Sequence, residues 1–236
     1  MLETAIISAL AGTLFCMYFG TGVVARLLAD RRAASLRGSG RLALTYDDGP
    51  SPLQTDRILN ILAQRGATAT FFVIGRSAEM YPEVLNRIAG AGHEIAWHSQ
   101  KHLNQWHSLP IASWFDTAQI PDVTHATTDP LATYRPPFGK LNLVSLIAAR
   151  IRGLGISTWT IASGDTFPEL PLVQAVVDRV EAEGGGVILM HDHQRTGPDS
   201  EERERFVREL TIALLDLARD REWKIAPVPE SRRSIA

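Results

Sequence analysis

An α/β fold built on a parallel sheet, open or closed into a barrel, is what the sequence predicts, on three observations. Strand-like and helix-like segments alternate with regularity through most of the chain. Chemistry-bearing polar residues gather where the strands end. An uncharged apolar run opens the chain and stands apart from the rest. The bulk numbers are compatible with this: 236 residues, 45% hydrophobic and 21% charged, with formal net charge −2, are enough for one sizeable core. That charge balance carries no electrostatic footprint for nucleic acid. The single cysteine, Cys16, excludes an internal disulfide and any cysteine-based zinc site.

The first element is the run "AIISALAGTLFCMYFGTGVVA" over residues 5–25, which has no charge. As a helix it is ~30 Å long, the hydrocarbon thickness of a bilayer. An uncleaved membrane span is the preferred reading. The alternatives are an apolar helix docked on a globular core and a cleaved signal peptide. "MLET" lacks Lys and Arg and the run is long for a signal core, although Val23-Val24-Ala25 passes loosely as a cleavage site. Arg26, Arg31, Arg32, Arg37 and Arg41 come next, so the positive-inside rule places the rest of the chain in the cytoplasm. The expected organisation is a membrane or signal segment over 1–28, a polar linker over 29–40 ("ADRRAASLRGSG") and one folded domain over 41–236.

Within that domain, strands are expected over 42–46, 69–74, 94–97, 133–135, 156–161, 187–190 and 223–228. Helices fall between them. Residues 54–65 place Ile58, Ile61 and Leu62 on one face, and 82–91 open with a proline and stripe Leu85, Ile88 and Ala89. Residues 143–152, 172–182 and 202–217 are similarly amphipathic. The stretch 103–132 breaks the rhythm: it holds Trp106 and Trp114, and little helical periodicity.

Five stretches place polar groups at strand ends, where parallel βα proteins build their sites. "LALTYDDGP" (42–50) delivers two adjacent carboxylates, Asp47 and Asp48, at the mouth of an apolar strand. Such a pair requires a cation or a proton beside it. "HSQKH" offers His98 and His102, whose i, i+4 spacing on a helical turn aims both imidazoles one way. Two neutral imidazoles and a carboxylate make a divalent-metal site with open positions. "RPPFG" supplies Arg135, able to hold a carboxylate bidentately. Asp165 follows the next strand, and "ILMHDH" brings His191 and Asp192.

Taken together these stretches resemble the NodB-type polysaccharide deacetylases of carbohydrate esterase family 4. "TYDDGP", "HSQKH" preceded by "GHEIAW", "RPPFG", Asp165 and "LMHD" match that family's five motifs in order, and "ATATFFVIG" (67–75) is similar to its second core strand. The resemblance covers roughly residues 41–228. It implies a distorted (β/α) barrel of about seven parallel strands, in agreement with the seven strand signals. It also implies removal of N-acetyl groups from an amino-sugar oligo- or polysaccharide of chitooligosaccharide, peptidoglycan or exopolysaccharide type. Asp48, His98 and His102 are then ligands of one divalent ion, commonly Zn2+. Asp47 is the general base, Arg135 its orienting partner and His191 the general acid, held by Asp165. The backbone N–H of Phe138 faces the oxyanion, and Leu189 lines the pocket for the acetyl methyl group.

Some positions depart from the family pattern. Tyr46 stands for Phe, Phe138 for Tyr and Thr166 for Trp, while Thr160 and Ala162 replace frequent acidic residues. These last three are expected on the groove wall and bear on specificity. His93 reads as a structural histidine; His107, His125 and His193 read as surface residues. Trp106 and Trp114 suit sugar stacking, core or membrane contact equally. The alternative to an enzyme is an inactive carbohydrate-binding protein on the same fold; retention of Asp47 and His191 speaks against it.

Overall fold

A computed structural model of the chain describes residues 1–120, 133–193, 197 and 199–229. His125, with the rest of residues 121–132 in the irregular stretch, lies outside the described residues. The strands are β1 (Arg41–Asp47), β2 (Thr70–Val73), β3 (Glu94–Trp97), β4 (Thr133–Tyr134), β5 (Gly155–Ile156), β6 (Ile161–Ala162), β7 (Gly185–His191) and β8 (Lys224–Ile225). Every recorded pairing is parallel, in the order β5-β4-β3-β2-β1-β7-β6. β8 pairs with the first two residues of β1, and β2 takes over that side at Thr45. The result is a barrel left open between β5 and β6.

The single strand expected over 156–161 is therefore two. Residues 157–160 carry the chain from one edge of the sheet to the other. Ser157 N–H still donates to the Tyr134 carbonyl, whereas Thr160 N–H already donates to that of Val187. The gap is where the barrel departs from closure.

β1 is buried on both faces, as a central parallel strand must be. Its alternation sorts the two sides. Leu42, Leu44 and Tyr46 face outward into the main core, against Ile58 and Leu62 of α2 (Gln54–Gln64), Ile88 of α4 (Pro82–Gly90), Val180 of α7 (Val173–Ala182) and Leu210 of α8 (Ser200–Asp220). Ala43 faces the barrel interior with Phe72, Ala96 and Val187, and the small side chains keep that space narrow. Thr45 and Asp47 follow on the same interior side.

Two helices are present that periodicity did not announce: α3 (Gly75–Met80) and α5 (Pro110–Ala118). In α5 the pattern is inverted. Ser113, Asp116 and Thr117 are buried while Ile111 and Phe115 are exposed. Its neighbour α6 (Leu143–Ile151) begins with a capping box in which Asn142 and Ser145 satisfy each other's backbone N–H groups.

The N-terminal helix α1 (Leu2–Ala33) is long and apolar enough to cross a membrane. It does not end where its charges begin: it runs through the first five residues of the expected linker, and a 3-10 turn (Ala34–Leu36) follows. Residues 4–17 are exposed, while Ala25, Ala29 and Ala33, one turn apart, are buried. Ala25 and Ala29 pack on Tyr134, Leu141, Ala149 and Ile156. Gly22 is needed for this approach, since a Cβ there would run into the Leu141 carbonyl. Arg26 donates to the Gly139 carbonyl at 2.6 Å and Arg32 to that of Ile156 at 3.2 Å. The distal half of the helix is thus part of the folded domain.

Candidate active site

The site lies where β1, β3, β4 and β7 end. Asp47 is the last residue of β1 and points into the barrel interior. Arg135, fully buried, donates from Nη1 to Asp47 Oδ1 at 2.7 Å and to Thr45 Oγ1 at 2.8 Å, and from Nη2 to the Thr158 carbonyl at 3.1 Å. Its guanidinium lies 3.9 Å from the centre of the Phe72 ring. Burial lowers the Arg135 pKa, and the Asp47 carboxylate opposes that shift. The second oxygen of Asp47 is outside the Arg135 bond and 3.8 Å from His98 Nε2.

Adjacent residues of a strand face opposite ways, and Asp48 escapes this by leaving the strand. Its φ of 74° is left-handed and swings its carboxylate to the same side as that of Asp47. Ser99 (φ 72°), His102 (59°) and Phe138 (56°) share that conformation, so four of the five non-glycine residues with positive φ among those described cluster here. Strain of this kind, of order 1–3 kcal/mol each, gathers at functional sites.

His98 and His102 are brought together, but not by a helix. Residues 98–102 form a loop in which Ser99 and His102 turn left-handed, and Ser99 Oγ accepts the His102 N–H at 2.9 Å. The expected helical turn is corrected to this. Each imidazole places Nε2 3.2 Å from Asp48 Oδ1. The ligand atoms of Asp48, His98 and His102 all lie within 4.8 Å of one another.

Whether these residues fit a metal ion is tested by their hydrogen bonds. His98 Nδ1 lies 2.7 Å from the Arg135 carbonyl, a bond that fixes the proton on Nδ1 in the neutral ring and leaves the Nε2 lone pair aimed at Asp48. Asp48 Oδ1 is buried and has no hydrogen-bond donor. Lone pairs facing one another require a positive charge between them. Burial disfavours charge on His98, yet Asp47 and Asp48 pull its pKa upward. Burial lowers that of His102. Burial would raise the Asp48 pKa, but the three surrounding imidazoles hold it far below the carboxylate range. The donor set fits a divalent cation.

On the opposite wall, β7 delivers His191. Its Nδ1 lies 3.0 and 3.1 Å from the two oxygens of Asp165, and its backbone N–H donates to the same carboxylate at 3.1 Å. Ser163 Oγ donates to Asp165 at 2.9 Å. Burial lowers the His191 pKa, but Asp165 outweighs it and raises the group to about 9. Leu189, two residues earlier on the same strand face, is buried. Phe138 is exposed, its ring centre 4.7 Å from that of His102.

Asp116 escaped sequence reasoning, Asp192 was named there without a role, and His193 was read as a surface residue. Asp116 of α5 accepts the backbone N–H groups of Lys101 (2.6 Å) and Leu103 (3.1 Å) and the Gln105 amide (3.0 Å), clamping the loop that carries His102. Asp192, buried against Gly49, accepts from Thr55 at 2.6 Å; burial raises its pKa to about 7. His193, expected at the surface, has Nδ1 3.6 Å from Asp48. Thr160, expected on the groove wall, instead bonds the backbone of Val187 through its hydroxyl. His93 is buried and accepts the Ala69 N–H, as a structural histidine does.

Known proteins are similar to this chain in sequence and in fold. The family model described as polysaccharide deacetylase matches residues 37–157. A chitooligosaccharide deacetylase of Bradyrhizobium is 30% identical over 216 residues, 85% of this chain and 94% of that one. A peptidoglycan-N-acetylglucosamine deacetylase of Bacillus cereus is 29% identical over 153 residues, 64% of this chain and 72% of that one. Among solved structures, a peptidoglycan N-acetylglucosamine deacetylase shares the fold with a TM-score of 0.68 at 24% identity, covering 80% of this chain and 86% of that chain. With the family model matched over residues 37–157 and a 30% identical relative matched over nearly its whole length, this chain belongs to the polysaccharide deacetylase family.

Proposed function

We propose that the protein is a metal-dependent N-deacetylase of an amino-sugar oligo- or polysaccharide, of the chitooligosaccharide, peptidoglycan or exopolysaccharide type. The observation that carries this is the division of labour between neighbours: Asp48 faces two imidazoles at 3.2 Å, while Asp47 is held by Arg135 at 2.7 Å. Asp48, His98 and His102 would hold a divalent ion such as Zn2+, which would supply Lewis acidity toward water and the acetamide carbonyl.

The chain's own residues do the rest. Arg135 fixes Oδ1 of Asp47, so Oδ2 is the oxygen that takes the proton from the attacking water. The Phe138 N–H, on its left-handed turn, donates to the developing oxyanion, and Leu189 packs on the acetyl methyl group. His191, kept protonated by Asp165, gives its proton to the departing sugar amine as the C–N bond breaks. Acetate and a free amino sugar leave. An inactive binding protein has no use for a buried Asp47–Arg135 pair aimed at the same point as His191.

In this reading α1 anchors the enzyme as an uncleaved single span. Arg26, Arg32 and Arg37 are occupied by domain carbonyls, so the inside-positive signal for a cytoplasmic domain rests on Arg31 and Arg41. The test is release of free amine and acetate from N-acetylglucosamine oligomers by the purified full chain. Activity abolished by a chelator and restored by Zn2+ supports the proposal; undiminished turnover in the metal-free protein, or none at any metal loading, contradicts it.

A further inference from the structure

We infer that the N-terminal ends of α5 and α6 sit in the bilayer interface beside α1, so that the catalytic domain rests on the membrane instead of hanging from a tether. The inference rests on the reading of α1 as a span. Its first support is length. The continuously exposed stretch described for α1 is residues 4–17, about 21 Å of helix at 1.5 Å per residue. The hydrocarbon layer is ~30 Å thick, so a span completed by the uncharged run to residue 25 must draw the neighbouring domain surface in by roughly 9 Å. That is the depth at which interfacial helices bury their apolar faces, ~5–10 Å.

The second support is the chemistry of that surface. Pro110 and Leu143, the first residues of α5 and α6, share an apolar cavity of about 450 Å³ with Leu14, Phe15 and Phe19 of α1. Around it, Leu109 (71% exposed), Ile111 (61%) and Phe115 (55%) point outward, and Ile147 of α6 joins them. Residues 109–120 carry one charge, Asp116, which is buried, and residues 141–149 carry none. The inverted pattern of α5, polar inward and apolar outward, is costly in water and natural at a lipid surface. At the level where α1 meets the domain stand Tyr18, Phe19 and Trp106, with Lys140 5.4 Å from the Trp106 ring. Aromatic and basic side chains at one level are how proteins mark the headgroup layer.

The full chain, with Cys16→Ser, is reconstituted in phosphatidylcholine–phosphatidylglycerol vesicles with one new cysteine carrying a bimane label. Leu10→Cys reports the span, Leu109→Cys and Ile111→Cys the proposed seat, and Arg205→Cys an exposed, charged face of α8. Lipids brominated on the acyl chain are the quencher. Quenching of roughly twofold at 10, 109 and 111 with none at 205 is the expected result for an interfacial seat. Quenching at 10 alone leaves the anchor standing and overturns the seat. Quenching at none of the four removes the anchor and the seat together.

Discussion

Arg135 and Asp47 approach to 2.7 Å across the barrel interior, and both are buried. The guanidinium comes from the loop after β4 and the carboxylate from the end of β1, so the contact sets one wall of the site against the other. Removing Arg135 would leave a buried carboxylate unpaired, which costs about 3–5 kcal/mol. Arg135→Met is expected to lower stability by that order in urea unfolding. Arg135→Lys keeps the charge but not the fork that reaches Thr45, Asp47 and Thr158 together. It should lower kcat with KM little changed; a KM effect alone would mean that Arg135 binds substrate rather than positions the base.

His191 sets the alkaline side of the pH profile. Its folded pKa of about 9 lies above the ordinary value of 6.5. The stabilisation from its protonated form is therefore fully present below about pH 6.5 and lost as pH rises through about 9. Activity that needs the protonated imidazole should fall over the same upper range. A cation on Asp48 weakens that carboxylate's share of the pull, which leaves Asp165 as the main anchor. Asp165→Asn should bring the alkaline limb down toward 6.5 in kcat/KM profiles. An unmoved limb would assign it to another group.

The loop that carries His102 has no helix to hold it, and Asp116 replaces one. Asp116→Asn removes the charge that accepts the Lys101, Leu103 and Gln105 donors while leaving Asp48, His98 and His102 intact. Metal affinity is expected to fall by ~10–100-fold, the usual worth of a group that orients ligands. His98→Ala and His102→Ala should fall further, below one ion per chain. Titration against a chelating dye reads all three; wild-type affinity in Asp116→Asn would make the clamp structural only.

How much of this was legible depended on what signal each feature leaves in the chain. β1 was readable because a strand buried on both faces is an apolar run, and Asp47-Asp48 stood out because carboxylates at its mouth need a partner. Arg135, Asp165 and His191 were found by their place at strand ends, and only their roles came from the resemblance. α5 was invisible because its apolar residues face outward, which defeats a search for a buried stripe. Asp116 acts through three donors brought near it only by folding, and nothing in "SWFDTAQ" hints at that. The convergence of His98 and His102 was anticipated for the wrong reason: left-handed loop residues, not a helical turn, aim them. The split of 156–161 into β5 and β6 places them on the two edges of a sheet that stays open there, a property of the whole sheet.

The anchor makes a separate prediction. The full chain should stay with membranes through alkaline carbonate extraction. Because Arg26 and Gly22 hold α1 to the Phe138 loop, cutting the helix away should also impair turnover. A full chain recovered in the aqueous fraction with Met1 intact would rule the span out.

The central claim is that adjacent carboxylates do different work, Asp48 as ligand and Asp47 as base, and one pair of variants measures it. Asp48→Asn and Asp47→Asn are compared for bound metal per chain and for kcat on N-acetylglucosamine oligomers. Asp48→Asn should lose metal and activity together, with partial recovery in excess metal. Asp47→Asn should keep its metal and its KM while kcat falls by ~10²–10⁴-fold, the range a general base contributes. An Asp47→Asn enzyme that turns over normally, or one that loses its metal as Asp48→Asn does, would contradict the account.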